Sequence, residues 1–196
     1  SGKVGVCEGP SGGGATYIAP GLVEANESSI PILAITTDIG VGSRGRYALT
    51  ELDQSALFRP LTKWNGVIER SEDVPKMLRT AFREMTTGRP GAAHLALPFD
   101  VQKGPVDPAD IWHDEDLGCY PAWPTGPDPT AVAKMVQVLL AVTNPVIVCG
   151  GGAILAGAEG GLVRLAEQLE IPVATTISGK GSIPEDHPLA IGVVGS

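Results

Sequence analysis

Short apolar runs bounded by glycine or proline alternate along this chain with longer segments whose apolar residues recur every three to four positions. Val4 to Cys7 reads as a short buried strand ending at glycines. Residues 14–28, GATYIAPGLVEANES, predict a helix that Pro20 and Gly21 should kink or loosen. The run Ile30 to Thr36 is apolar throughout, as in a parallel strand covered on both faces. From Asp38 to Asp53 the chain turns polar and glycine-rich, a long loop and so a place to look for function. Residues 62–69, TKWNGVIE, predict another strand. Ser71 with Glu72 and Asp73 predicts a helix start, because a hydroxyl caps free N–H groups and acids suit the positive end. Val74, Met77, Leu78, Ala81, Phe82 and Met85 then fall on one helical face. Residues 88–98 close the unit as a turn and a strand.

Between Pro98 and Pro127 the periodicity fades and prolines recur at 105, 108, 121, 124 and 127. This predicts a linker over 105–127. Asp128 and Pro129 restart regular structure as N-cap and first helical residue, with the helix running to about Val142. A strand (PVIVCG), glycines 150–152, a helix from Ile154 to Leu169, a strand (IPVATT) and a loop (SGKGSIPEDHP) follow. Strand, glycine turn, helix and strand make a crossover unit. The fold class is α/β: two parallel-sheet units, 1–104 and 128–196, joined by a proline-rich linker.

The totals narrow the function classes. A hydrophobic fraction of 43% in 196 residues supports a packed core. No window approaches the roughly 20 apolar residues of a membrane span, and the first residues lack a basic stretch followed by an apolar one. A net charge of −8 argues against a nucleic-acid backbone as the main partner. Cys7, Cys119 and Cys149 have no C-x-x-C spacing, so a disulfide framework or zinc site is not expected and a reducing cytoplasm fits.

Three segments could carry chemistry. Gly12 to Gly14 follow the first strand, either to let a cofactor or backbone approach or simply to form a tight strand-to-helix turn. The second segment, VCGGGAILAGA, sits where a dinucleotide turn would. However, Leu155 occupies the third fingerprint glycine's place and IPVATT ends without an acid. That disfavours a nicotinamide-dependent oxidoreductase. The ionisable residues are scattered: His94 reads as a satisfied core residue, His113 as solvated and His187 as a turn cap. Glu8 is best placed to bond the exposed turn amides, and Lys63 with Arg59 near the long loop could meet an anion. Residue physics alone reaches a two-domain α/β binding scaffold.

The order of segments goes further. SGKVGVCEGPSGGGATYIAPGLVEANESSIPILAITTDI resembles the second half of the pyrimidine-binding domain of thiamine-diphosphate (ThDP) enzymes of the acetolactate-synthase-like group. There a Gly-Val strand leads to a Ser-Gly-Pro-Gly-Ala-Thr turn, a helix and a second strand. Residues 51–102 continue the likeness. PVIVCGGGA and LAEQLEIPVATTISGKGSIPEDHPLAIG resemble the first part of the Rossmann-like central domain. The resemblance implies that Gly12, Gly13, Gly14, Ala15 and Thr16 line a cofactor pocket at a subunit interface, with Gly13 where the family often has proline. It places Lys63 near the substrate side. Glu51 matches the Glu of a Phe-Gln-Glu signature in which Leu49 and Thr50 stand for Phe and Gln, which weakens the case for acetolactate synthase itself. Gly150, Gly151, Gly152, Thr175 and Thr176 match segments that hold FAD in some members and ADP in another.

The same resemblance implies a 2-keto acid substrate, ThDP with Mg2+, and at least a homodimer. It also implies what to look for elsewhere. The family's activating glutamate lies upstream of the first strand, and its Gly-Asp-Gly and Asn-Asn motif for Mg2+ and diphosphate has no counterpart in these residues. No catalytic residue and no metal ligand is therefore expected in this chain. The expectation is a fragment of a longer decarboxylase or carboligase, inactive alone. The competing expectation is a standalone nucleotide-binding or regulatory module.

Overall fold

The computed structural model describes residues 2–195, divided into two compact units, Ser1–Trp123 and Pro124–Ser196. The first unit holds four parallel strands: β1 (Gly5–Gly9), β2 (Ile32–Asp38), β3 (Trp64–Val67) and β4 (Ala93–Pro98), in the order β1-β2-β4-β3. Helix α1 (Gly13–Glu27) joins β1 to β2, the short α2 (Gln54–Phe58) precedes β3, and α3 (Val74–Thr86) leads into β4.

Both faces of this sheet are covered, and the period-2 alternation of strand side chains divides the core accordingly. Leu33, Ala93 and Leu95 pack with Ile68, Ala81, Met85 and Val101 on the α3 face. Ala34 and Ala92 pack with Ala15, Leu22, Ala25 and Phe58 on the face of α1 and α2. One layer is built from large side chains and the other largely from alanines, so the backbone of α1 can lie close to the sheet. The helical face expected for 74–85 is the one that packs.

The second unit has three parallel strands in sequential order, β5 (Ile147–Cys149), β6 (Val173–Thr175) and β7 (Ala190–Val193). Its helices are α4 (Pro129–Ala141), α5 (Gly151–Leu155) and α6 (Glu159–Leu169). Asp128 caps α4 as expected, its Oδ1 accepting from the Thr130 amide at 3.0 Å. Val173, Ala166, Cys149 and Ile183 form the core.

Several expectations need correction. The helix expected from Ile154 to Leu169 is two helices. Gly157 takes φ 60°, and the amides of Ala158 and Gly157 bond back to the carbonyls of Ala153 and Ile154. This Schellman pair ends α5 after a single turn or so. Ser71 does not cap α3: it lies in a 3-10 turn, Ser71–Asp73, and the residue at the α3 N-cap is Asp73, whose carboxylate takes the Arg70 guanidinium at 3.0 Å rather than a helix amide. A charged donor outcompetes a neutral amide. The helix expected over 14–28 forms as α1 and runs through Pro20.

Strand β7 carried no signal of its own before the structure, because glycine and exposed valines obscure its alternation. The segment expected as a linker from 105 is folded onto the first unit. Leu117 is buried, Arg79 Nη1 donates to the Asp110 carbonyl at 2.9 Å and lies over the Trp112 ring, and the Ala122 amide bonds the Thr86 carbonyl.

Candidate functional site

Parallel strands bring all their carboxyl ends to one edge, where ligands of open α/β sheets bind. In the first unit Gly9, Thr36 and Ala96 share one register level. Beyond Gly9 the chain turns through Pro10 and Ser11 and enters α1 with Gly12 as N-cap at φ 62°, ψ −123°. A Cβ at Gly12 would lie 2.7 Å from the Thr50 Cβ, and one at Gly14 would lie 2.2 Å from the Pro10 ring. Only glycine fits either place. Gly13 is different: a Cβ there meets nothing within 4 Å. Ala15 is fully buried beneath the turn, and the Thr16 hydroxyl donates to the Gly13 carbonyl at 2.6 Å. Tight turning therefore accounts for Gly12 and Gly14, while Gly13 alone presents open backbone outward.

The loop between β2 and α2 closes on this turn. The Ser11 and Thr50 hydroxyls bond at 2.8 Å. Glu51 points its carboxylate into its own loop, accepting from the Gly45 and Ala48 amides at 2.5 and 3.0 Å. Thr50 and Tyr47 sit at φ 71° and 56°, unusual for residues with a Cβ, and most of all for a β-branched threonine. Tyr47 and Leu49 are almost wholly exposed. The root of the loop is held by Asp38, which pairs with Arg44 at 3.3 Å, while Arg44 also reaches Glu69 at 3.0 Å. A cavity of about 320 Å³ lies between these residues and Glu51, Asp53 and Gln54.

Lys63 is not part of this edge. It precedes β3, whose Trp64 aligns with Ala93 and Leu33, so it stands at the amino end of the sheet. Gly9 is about four residues further along the strand direction, on the order of 13 Å. The Lys63 ammonium donates to the Thr87 carbonyl at 2.6 Å, and burial lowers its pKa against the opposing pull of Glu84. The structure thus does not bring Lys63 to the glycine turn. Arg59 is exposed. Glu8 is exposed on β1 and makes no side-chain bond to the turn among the described contacts. The turn amides of Gly14 and Ala15 are taken by the carbonyls of Ser11 and Gly12.

His94 is a core residue but not a fully satisfied one. It is wholly buried on β4, stacked on Phe58 with ring centroids 3.8 Å apart. Its Nε2 lies 2.7 Å from the Thr36 hydroxyl, whereas its Nδ1 has no partner among the described residues. Thr36 also bonds Gln54 Oε1, and Gln54 Nε2 donates to the Thr37 carbonyl at 2.9 Å. Burial pushes the His94 pKa down to about 4. This cluster escapes sequence reading because Thr36 and Gln54 carry no spacing signal. His113 is exposed, and His187 caps its turn by accepting from the Leu189 amide at 3.2 Å.

In the second unit Gly150 to Gly152, Thr175 and Thr176 meet on the carboxyl edge of β5 and β6. The Thr176 amide bonds the Cys149 carbonyl at 2.8 Å, and its hydroxyl accepts from the Gly179 amide at 3.1 Å. A Cβ at Gly151 would press on the Ser178 carbonyl at 3.1 Å, whereas Gly152 is open. Since α5 has only five residues, the aligned dipoles behind this turn are fewer than a helix running to Leu169 would supply.

Comparison with known proteins matches both units to one family. A family model described as "Thiamine pyrophosphate enzyme, N-terminal TPP binding domain" matches residues 1–57. One described as "Thiamine pyrophosphate enzyme, central domain" matches residues 132–196. A probable acetolactate synthase large subunit of Methanocaldococcus jannaschii is 43% identical across 100% of this chain and 33% of its own length. The acetolactate synthase large subunit of Corynebacterium glutamicum is 37% identical across 100% of this chain and 31% of its own. A glyoxylate carboligase of Escherichia coli is 36% identical across 100% of this chain and 32% of its own. The chain spans about a third of the length of the curated relatives it matches.

Two outcomes follow. Gly14→Ala drives a methyl into the Pro10 ring and lowers stability by about 1–3 kcal/mol, while Gly13→Pro, at the first helical position, raises it by about 0.4–1 kcal/mol. Urea denaturation of both variants checks this. His94, depressed from the usual 6.5 to about 4, is protonated in the unfolded chain before the folded one. Its stabilising contribution is therefore complete above pH about 6.5 and falls by about 3 kcal/mol as pH drops to about 4. His94→Leu removes that component of the pH slope in denaturation series compared at matched pH.

Proposed function

This chain belongs to the thiamine pyrophosphate enzyme family, and from that premise we propose that it is part of a longer 2-keto-acid decarboxylase or carboligase. In this reading residues 1–104 are the second half of the pyrimidine-binding domain and 128–196 the beginning of the central domain. The observation that carries it is the open backbone of Gly13 on the carboxyl edge of a parallel sheet, flanked by glycines that the protein's own packing requires.

Gly12 to Thr16 would form the wall facing the cofactor rings, and the fit is steric. A flat ring can approach Gly13 without meeting a side chain, and Ala15 keeps the helix start low. When bound, ThDP with Mg2+ supplies the electron sink for loss of CO2 from a 2-keto acid. This chain's own part is positioning. The Ser11–Thr50 bond sets the loop against the turn, and Glu51 holds the loop's shape through two amides. Lys63 has no part in that wall, since its ammonium is engaged at the opposite end of the sheet.

The partners proposed with this reading are a second copy of the protein and a 2-keto acid, in the cytoplasm. Among the described residues no helix is long and apolar enough to cross a membrane. Val132, Met135, Val138 and Leu140 of α4 and Val148 of β5 are exposed in this chain, apolar surface of the kind that further chain or a second copy covers. The edge at Gly150 to Gly152, Thr175 and Thr176 is the place for FAD or ADP, with Gly152 as its open backbone.

The test is a ThDP- and Mg2+-dependent pyruvate decarboxylation assay on the full-length gene product beside the 196-residue chain. The longer protein should turn over only with ThDP and Mg2+ present, and the shorter chain should not. Binding of ADP or FAD by a full-length protein that ignores ThDP would instead establish the regulatory or nucleotide-binding module.

A further inference from the structure

The short helix α2 cannot hold its own place. Five residues are far below the length at which a helix is stable in water, so its position is set by what clamps it. Gln54 Nε2 donates to the Thr37 carbonyl, Asn65 Nδ2 donates to the Ser55 carbonyl at 2.8 Å, and Phe58 stacks on His94. The hydrogen positions follow from the acceptors. With Gln54 Nε2 committed to a carbonyl, its Oε1 must accept, and among the described residues Thr36 is the donor it meets. The Thr36 oxygen then receives from His94, so His94 carries its proton on Nε2 and leaves Nδ1 bare.

We propose that His94 is a positioning residue: as the neutral Nε2–H tautomer it fixes Thr36 and, through it, Gln54, and so clamps the end of the loop that presses Thr50 against the glycine turn. Gln54 directly follows Asp53, the last residue of that loop, whose carboxylate caps α2 at the Ala56 amide. Thr50 in a left-handed conformation persists only where its surroundings over-determine it. Beside the Glu51 bonds within the loop, Thr50 is braced by the Ser11 bond on one side and, through Asp53, by the Gln54 clamp on the other. The consequence for the cofactor rests on the reading of Gly12 to Thr16 as the cofactor wall. The consequence for the loop does not.

The experiment uses the full-length protein and three variants, His94→Leu, Thr36→Val and His94→Gln. Hydrogen–deuterium exchange without cofactor is read over residues 45–58, with α3 as internal reference. His94→Leu and Thr36→Val should each speed exchange of 45–58 by about tenfold, the scale of one lost hydrogen bond, with α3 unchanged. His94→Gln, which keeps a donor at the place of Nε2, should restore slow exchange. Thr36→Val keeps the side chain's shape and covers the case in which His94→Leu fails to fold. Unchanged exchange in Thr36→Val overturns the proposal, and so does equal loosening of α3 and the loop, since His94 would then serve packing alone. ThDP titration of the same variants should show affinity falling with the loosened loop and returning in His94→Gln. A loosened loop with unaltered ThDP affinity supports the clamp and refutes the cofactor wall.

Discussion

The common direction of the strands is the constraint on which the first unit depends. Because β1, β2, β4 and β3 all run the same way, every connection that leaves a carboxyl end starts on one edge. The glycine turn after Gly9 and the long loop after Asp38 become neighbours for that reason alone. Their contact is close enough that no side chain fits at Gly12 beside Thr50. A loop that would otherwise be free is thereby tied to a turn that would otherwise be only a connection.

The two faces of the sheet divide the work. Leucine, isoleucine and methionine side chains pack toward α3. The alanine-rich face toward α1 and α2 admits a polar layer of Thr36, His94 and Gln54. Burying polar groups costs free energy unless each is paired, and His94 Nδ1 is not. A leucine at position 94 would avoid that cost but leave the buried Thr36 oxygen without its donor, so the imidazole is explained by what its Nε2 holds.

Much of this was legible beforehand. Ile30 to Thr36 announced a strand covered on both faces, the α3 stripe announced its packed side, and Asp128–Pro129 marked a helix start that formed as written. What the sequence hid is local competition and tertiary assembly. The α3 N-cap fell to Asp73, whose carboxylate pairs with Arg70, and Gly157 split a helix whose apolar spacing ran on across it. Proline recurrence suggested a linker between the units, yet Leu117 and Trp112 fold much of that segment onto α3. At the site, glycine spacing pointed to the turn, but only coordinates separate Gly12 and Gly14, filled by the protein itself, from Gly13, which is open. Lys63 looked near the loop in sequence and lies at the far end of the sheet, because a parallel strand must start at the edge opposite to where it ends.

Gly13 offers the most direct test of the central claim, since a Cβ there meets nothing within 4 Å among the described residues. Gly13→Phe in the full-length protein is expected to keep the fold, which the denaturation midpoint checks, so that a change in ThDP binding then reports on the space outside the turn. The account predicts an unchanged denaturation midpoint with ThDP affinity, measured by calorimetric titration, weakened by at least about tenfold, or roughly 1.4 kcal/mol. Full ThDP affinity in a normally folded Gly13→Phe protein would contradict it, and the turn would then be a tight connection between β1 and α1 and nothing more.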